Sequence, residues 1–201
     1  ETLTAFAGKG LPPAVFVWAA CVFDFLDGFA ARALKVTSAI GKELDSLADM
    51  VSFGVLPAVF MFKLIEENAS DTESLLRYSA VLIAAFSALR LAIFNVDETQ
   101  RDSFKGLPTP ANTLFITGLA FLPFTWNAWM LVLVTVIFSL LLVSRIELFA
   151  LKFKDLSWSS NRFKFSFLIL AALALLAWQL AAIPAIIILY IALSLGKKAI
   201  A

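Results

Sequence analysis

The 201-residue sequence predicts an all-α fold, a polytopic transmembrane helical bundle with about seven spans. Three observations carry that prediction. First, 61% of the residues are hydrophobic and only 15% charged, with a mean hydropathy of +0.91, whereas soluble domains run near 45–50% apolar and 25% charged. Second, the long apolar segments are apolar all round and lack the period-two alternation of a β-barrel. Third, the basic residues gather on alternate loops, as the positive-inside rule requires of a multispanning protein.

The spans follow in order. They fall near 11–34, 43–65, 75–95, 108–125, 127–144, 163–179 and 183–196, the fourth and the last being short. Arg32, Lys35 and Lys42 separate the first two; Glu66, Glu67, Asp71, Glu73 and Arg77 separate the second from the third. Arg101 and Lys105 precede the fourth, and the turn Thr125-Trp126-Asn127 closes it. A longer loop, 145–162, carries Arg145, Lys152, Lys154, Arg162 and the aromatic Trp158, and reads either as an interfacial amphipathic segment or as a plain connector. Ala181-Ala182 marks the last turn, and Lys197 and Lys198 follow the last span. Counting Lys164, twelve of the sixteen basic residues then lie on one side, which the positive-inside rule makes cytoplasmic. Seven spans put the two termini on opposite sides. Because the chain begins with Glu1, an additional N-terminal helix is expected, giving eight spans with both ends inside. The whole of 1–201 reads as a single domain, with a motif core at 22–112 and C-terminal helices over 127–196.

Composition also excludes. A net charge of +1 gives no electrostatic reason to bind nucleic acid. Without histidine there is no imidazole base and no His-ligated zinc, and the single Cys21 permits no intrachain disulfide. Cys21 reads as a small apolar residue on a buried helix.

Against this background, four aspartates within 26 residues stand out: Asp24, Asp27, Asp45 and Asp49. A carboxylate at the centre of a membrane helix costs about 2.5–3.5 kcal/mol even on translocon-insertion scales. Helical phase groups them. Positions 24, 27, 28 and 31 form one stripe reading Asp, Asp, Gly, Ala; positions 41, 45 and 49 form a second reading Gly, Asp, Asp. Two antiparallel helices joined by a short loop can face these stripes toward each other, with Gly28, Ala31 and Gly41 leaving room for a flat ligand beside the carboxylates. Hard divalent cations, which take oxygen donors, would neutralise such a cluster, and a pair of them is the known clamp for in-line phosphoryl displacement. The plain alternative is a set of helix-end charges paired with Arg32, Lys35 and Lys42.

The spacing D-x2-DG-x2-AR-x8-G-x3-D-x3-D, met at every fixed position from Asp24 to Asp49, is similar to the signature of the CDP-alcohol phosphotransferase family. The resemblance implies a helical membrane enzyme that displaces CMP from a CDP-linked lipid with an alcohol. Carried over by residue, it implies that Asp24, Asp27 and Asp45 hold two Mg2+ or Mn2+ ions and that Asp49 completes the set and acts as general base. Gly28, Ala31 and Gly41 would lie along the CDP-lipid and Arg32 near its phosphates. No P-loop is present, so metals and basic side chains must hold the phosphates.

Two further stretches bear on the alcohol. Arg90-Leu-Ala-Ile-Phe94-Asn95 ends the third span, and Phe104-Lys105-Gly106-Leu107-Pro108-Thr109-Pro110-Ala111-Asn112 opens the fourth. An intramembrane arginine invites a functional reading, and guanidinium binds carboxylate or phosphate as a fork; an ion pair with one of the aspartates is the alternative. The Gly-Leu-Pro-x-Pro run reads either as a helix start or as a site lining. With Leu44 to Gly54, these stretches resemble the phosphatidylserine synthases within the family over roughly residues 22–112, although Ile93 stands where a basic residue is common. That resemblance implies CDP-diacylglycerol and L-serine as substrates, with Arg90 and Lys105 as the available partners for the serine carboxylate. Glycerol 3-phosphate or an inositol phosphate as acceptor, and a divalent-cation transporter using the same carboxylates, are the competing expectations. The sequence thus predicts an integral protein of a bacterial inner membrane, its site facing the cytoplasm. A homodimer is also possible, since Gly118, Ala120 and the Ala-rich run 171–182 suit close helix approach within or between chains. Ser46 and Ser52 are placed to hydrogen-bond the carboxylates.

Overall fold

The computed structural model describes residues 13–34, 36, 38–97, 103–149 and 158–200. Lys35, Arg101, Lys152 and Lys154, used above to orient the chain, lie outside the described residues, as does the side chain of Arg32.

Helices account for nearly all of what is described. The first two are α1 (Pro13–Leu34) and α2 (Ala39–Asp49), joined by a short turn. Ser38 starts α2: its backbone is extended (φ −137°, ψ 157°), and its Oγ accepts the Gly41 amide at 3.0 Å. That satisfies one of the amides every helix start leaves unpaired. Beyond Asp49 the helix does not end. It widens into a π-helical segment (Met50–Val55) and resumes as α3 (Leu56–Asn68). The rod over Ala39–Asn68 is 30 residues, about 45 Å long at 1.5 Å per residue. Since the hydrocarbon core is about 30 Å thick, a membrane-crossing rod of this length projects beyond it or tilts.

Pro57 explains part of the irregularity. It has no amide hydrogen, so the Phe53 carbonyl four residues earlier loses its α-helical donor. That carbonyl accepts instead from Ser87 Oγ at 3.4 Å and from Thr113 Oγ1 at 3.1 Å. The π segment thereby becomes a junction that fixes two other helices.

The chain continues through a 3₁₀ stretch (Asp71–Ala80), opened by a Ser70–Glu73 capping box, into α4 (Val81–Val96). Arg77 ties this stretch back to α3 through Glu66. Next come strand β1 (Ser103–Lys105), α5 (Thr109–Gly118) with a short 3₁₀ end, α6 (Ala128–Leu142) and strand β2 (Glu147–Phe149). β1 and β2 pair antiparallel, Lys105 opposite Glu147. The sequence reading did not anticipate this ribbon: three-residue strands are too short to leave a periodic trace. α7 (Trp158–Trp178) and α8 (Ile183–Ile200) complete the chain. Trp158 thus opens a helix, and residues 150–157 of the long loop lie outside the described residues.

Four stretches are long and apolar enough to cross a membrane: Ala14–Ala31, Ala39–Asn68, Asp71–Val96 and Asn161–Gly196; Ala128–Leu142 is a shorter apolar helix. The last stretch is not one rod. Phe167 and Tyr190 are 23 positions apart, about 34 Å along a straight helix, yet their rings lie 5.7 Å apart. The chain therefore doubles back at Gln179, whose φ of 50° breaks the helix. Phe149 closes an aromatic triad with both rings, and Tyr190 Oη donates to its carbonyl at 2.9 Å.

The core runs through α3, α4, α5, α6 and α8, with Met61, Ile65, Ile83, Ile116 and Leu131 wholly buried. Phe115 stacks on Phe138 at 3.6 Å. α5 and α8 approach closely at Gly118, where a Cβ would come within 2.9 Å of the Pro184 ring. The close approach expected of this glycine is therefore within one chain. Gly106 allows another tight packing: its φ is +79°, and a Cβ would overlap the Leu142 carbonyl oxygen.

Candidate active site

α1 and α2 bring the two acidic stripes face to face. Carboxylate oxygens of Asp24, Asp27 and Asp45 lie within 4.8 Å of one another. Asp49 comes within hydrogen-bonding reach of Asp24. All four line a cavity of about 830 Å³, together with Gly28, Ala31 and Gly41. Seven of the eight fixed positions of the aspartate motif therefore border one space; for Arg32 only the backbone is described. Ala20, Phe23, Leu44, Ala48 and Phe53 supply an apolar wall.

The donor chemistry fits hard divalent cations. Two oxygens bound at about 2.0–2.6 Å to one cation lie at most about 5 Å apart, and the three carboxylates already meet that limit. Lys42 is the one basic side chain among the described lining residues, against four carboxylates. Its Nζ also reaches the Asn95 carbonyl at 3.4 Å. Helix-end salt bridging alone leaves such an excess of negative charge unbalanced, and dications would remove it.

α4 is fastened to the acidic rod at two levels. Ser87 contacts the Phe53 carbonyl, and two turns on, Asn95 Nδ2 donates to Ser46 Oγ at 2.8 Å. Ser46 spends its own proton on the Lys42 carbonyl at 3.1 Å. Its one donor is thus directed away from the carboxylates, contrary to expectation, whereas Ser52 does line the cavity. Arg90 falls between these two tethers, level with the turn that follows Asp49. It is 4% exposed and lies over the Phe94 ring at 5.2 Å. Lys105, at the end of β1, pairs with Asp97 at 3.1 Å. Neither Arg90 nor Lys105 lines the cavity. They belong to an adjoining cluster with Asp97, Phe94 and Phe104, the two rings being 6.3 Å apart.

Sequence reasoning passed over three residues of this region. Asp97 had no motif to mark it. Ser38 and Pro57 carried readable signals, an N-cap and a missing amide donor.

The α1–α2 turn, the α4 C-terminus and the β1–β2 ribbon meet at the carboxylate end, through Lys42–Asn95 and Lys105–Asp97. The Glu66–Glu73 region and the Asn127 turn gather elsewhere, Glu73 reaching Trp129.

A helical membrane protein with these carboxylates facing one cavity is suited to hold divalent cations, and residues 3–141 match the CDP-alcohol phosphatidyltransferase family. The chain belongs to that family. Among curated proteins it is similar to the CDP-diacylglycerol--serine O-phosphatidyltransferase of Bacillus subtilis (strain 168), 34% identical over 133 residues, covering 66% of this chain and 72% of that protein. The Methanocaldococcus jannaschii protein of the same name is 39% identical over 102 residues, 51% of this chain and 47% of the relative. That of Saccharomyces cerevisiae (strain ATCC 204508 / S288c) is 40% identical over 119 residues, 53% of this chain and 40% of the relative. The chain thus spans about half or less of the latter two.

Proposed function

We propose that this protein transfers the phosphatidyl group of CDP-diacylglycerol to the hydroxyl of L-serine, giving phosphatidylserine and CMP. The observation that carries the reading is the convergence of the motif carboxylates on one cavity, in a chain similar to proteins named for this reaction. Asp24, Asp27 and Asp45, with Asp49, hold two divalent cations, Mg2+ or Mn2+. When bound, these supply neutralisation of the diphosphate and of the charge on departing CMP.

The chain's own residues do the rest. Gly28, Ala31 and Gly41 leave the cavity wall low enough for the CDP moiety to lie against the helices, with Arg32 near its phosphates. Asp49 receives the serine hydroxyl proton on a carboxylate oxygen, which matters because an alcohol is a poor nucleophile near neutral pH. The serine oxygen forms a bond to the phosphorus bearing the diacylglycerol, and the bond from that phosphorus to the CMP oxygen breaks, CMP keeping the electron pair. Arg90 and Lys105 take the serine carboxylate from the cluster beside the cavity. We further place seven spans in the chain, with the carboxylate end at the cytoplasmic face, where soluble serine arrives.

CMP release in detergent micelles, from CDP-diacylglycerol with and without L-serine, tests this reading. Serine-dependent CMP, lost on chelation and restored by Mg2+ or Mn2+, is expected. CMP release that requires glycerol 3-phosphate or an inositol phosphate would keep the chemistry and overturn the acceptor. Cation flux into liposomes without CMP release would overturn both.

A further inference from the structure

The sequence directs attention to the basic residues beside the cavity, Arg90 and Lys105. The structure adds a third charge of opposite sign, Asp97. Its Oδ2 lies 3.1 Å from Lys105 Nζ, and it is the more sheltered of the pair, its side chain 22% exposed against 43%. It also interacts electrostatically with Arg90. Two rings hold the group in place. Phe94 lies under the Arg90 guanidinium and packs against Phe104, the neighbour of Lys105. The β1–β2 pairing fixes Lys105 from the other side. Two residues before Asp97, Asn95 is bonded to Ser46, the residue after the metal-site Asp45. Arg90 and Asp97, within and at the end of a helix tethered to the carboxylate rod, and Lys105 at the end of β1 therefore stand beside the candidate reacting centre.

We propose that Asp97 binds the ammonium group of the acceptor while Lys105 and Arg90 bind its carboxylate, so that the trio selects a zwitterionic amino acid among alcohols. The proposal rests on the reading of serine as acceptor. Its logic is charge complementarity at short range. An α-amino acid presents a cation and an anion on the same carbon, and Asp97 with Lys105 presents the opposite pair at 3.1 Å. Acceptors bearing only phosphate or carboxylate would meet Asp97 as a repulsive charge, and discrimination benefits as much from that repulsion as from the attraction.

A purely structural Asp97, holding Lys105 and the ribbon, makes a different prediction, and kinetics separate the two. With the purified full chain, Asp97→Asn should raise the KM for serine about ten- to a hundredfold, the usual range for a lost charge-assisted hydrogen bond. The KM for CDP-diacylglycerol should stay where it is. Serine and 3-hydroxypropanoate, which keeps the carboxylate and lacks the ammonium, are compared as acceptors, or as inhibitors where turnover is too slow to read. Asp97→Asn should narrow the preference for serine, whereas Lys105→Met should weaken both compounds alike. Asp97→Glu should restore part of the serine affinity. Should the asparagine variant fail to accumulate, Asp97→Ser carries the same comparison. An unchanged serine KM, or equal losses for serine and 3-hydroxypropanoate, would overturn the role of Asp97. If the unaltered protein releases no CMP with serine, the acceptor reading falls instead.

Discussion

The α1–α2 hairpin and the ribbon-anchored remainder of the bundle are built on opposite terms. α2 buries no residue at all, and the faces of α1 leave Phe16, Phe23, Phe25 and Phe29 more than half exposed. The helices from α3 onward enclose a continuous core and the aromatic triad of Phe149, Phe167 and Tyr190. The hairpin is held at points: Trp18 Nε1 donates to Thr117 at 2.8 Å, Ser46 accepts from Asn95, and the Phe53 junction follows directly. The motif carboxylates therefore sit on the more exposed part of the described structure. A site that must admit a lipid headgroup and an alcohol needs an open wall, and the well-packed half supplies the reference frame for it.

The largest effect that would sharpen this contrast belongs to the hairpin. Asp24→Asn removes one of the three converging carboxylates and should reduce CMP release to the background of a no-enzyme control. The melting temperature in detergent should stay unchanged or rise, because a crowded negative charge has gone. A large fall in melting temperature would make Asp24 a structural residue and break the contrast. Asp49→Asn comes next. As a base, its loss should cost about 10²–10⁴-fold in kcat, with CDP-lipid binding largely kept. Nucleotide binding lost to the same degree as in Asp24→Asn would make it chiefly a metal ligand.

The two regions also differed in how legible they were. The hairpin could be read directly, because Asp24, Asp27, Gly28 and Ala31 share a helical stripe and the energetic cost of carboxylates in an apolar chain marks them. Two features could not be read. The β1–β2 ribbon depends on pairing across more than forty residues, which no local pattern encodes. The π segment arises where Pro57 withholds a donor and Ser87 and Thr113 supply one from other helices. The reversal at Gln179, by contrast, falls beside the Ala181-Ala182 turn expected between the last two spans, although the helices on either side are equally apolar and Asn161–Gly196 is continuous in hydropathy. Arg90 was legible as an anomaly, but its neighbours Asp97 and Phe104 come from the fold.

The packed half is tested by Gly106→Ala. The left-handed backbone at Gly106 and the nearby Leu142 carbonyl leave no place for a Cβ. The substitution should cost about 2–4 kcal/mol of stability, read as a lower melting temperature, while the KM for CDP-diacylglycerol is retained in the fraction that remains folded. A large change in that KM would mean the ribbon shapes the lipid cavity itself, and the division between the two regions would fail.

The smallest expected effect lies on the tether between them. Asn95→Ala deletes the bond from Nδ2 to Ser46 Oγ, a partly buried contact between polar groups. Such a bond contributes about 1 kcal/mol, so stability should change little. If the tether only steadies α4, catalysis should change little too. Because Asn95 stands between the carboxylate rod and the Arg90–Asp97–Lys105 cluster, however, its loss should let the two drift relative to each other. The expected signature is a severalfold rise in the KM for serine with the KM for CDP-diacylglycerol unmoved. Ser46→Ala, which removes the other end of the same bond, should match it, and the double substitution should add nothing further. Additive effects of the two would show that each residue acts separately, and the coupling between the open hairpin and the packed half would then run through the remaining tethers, Trp18–Thr117 and the Phe53 junction among them.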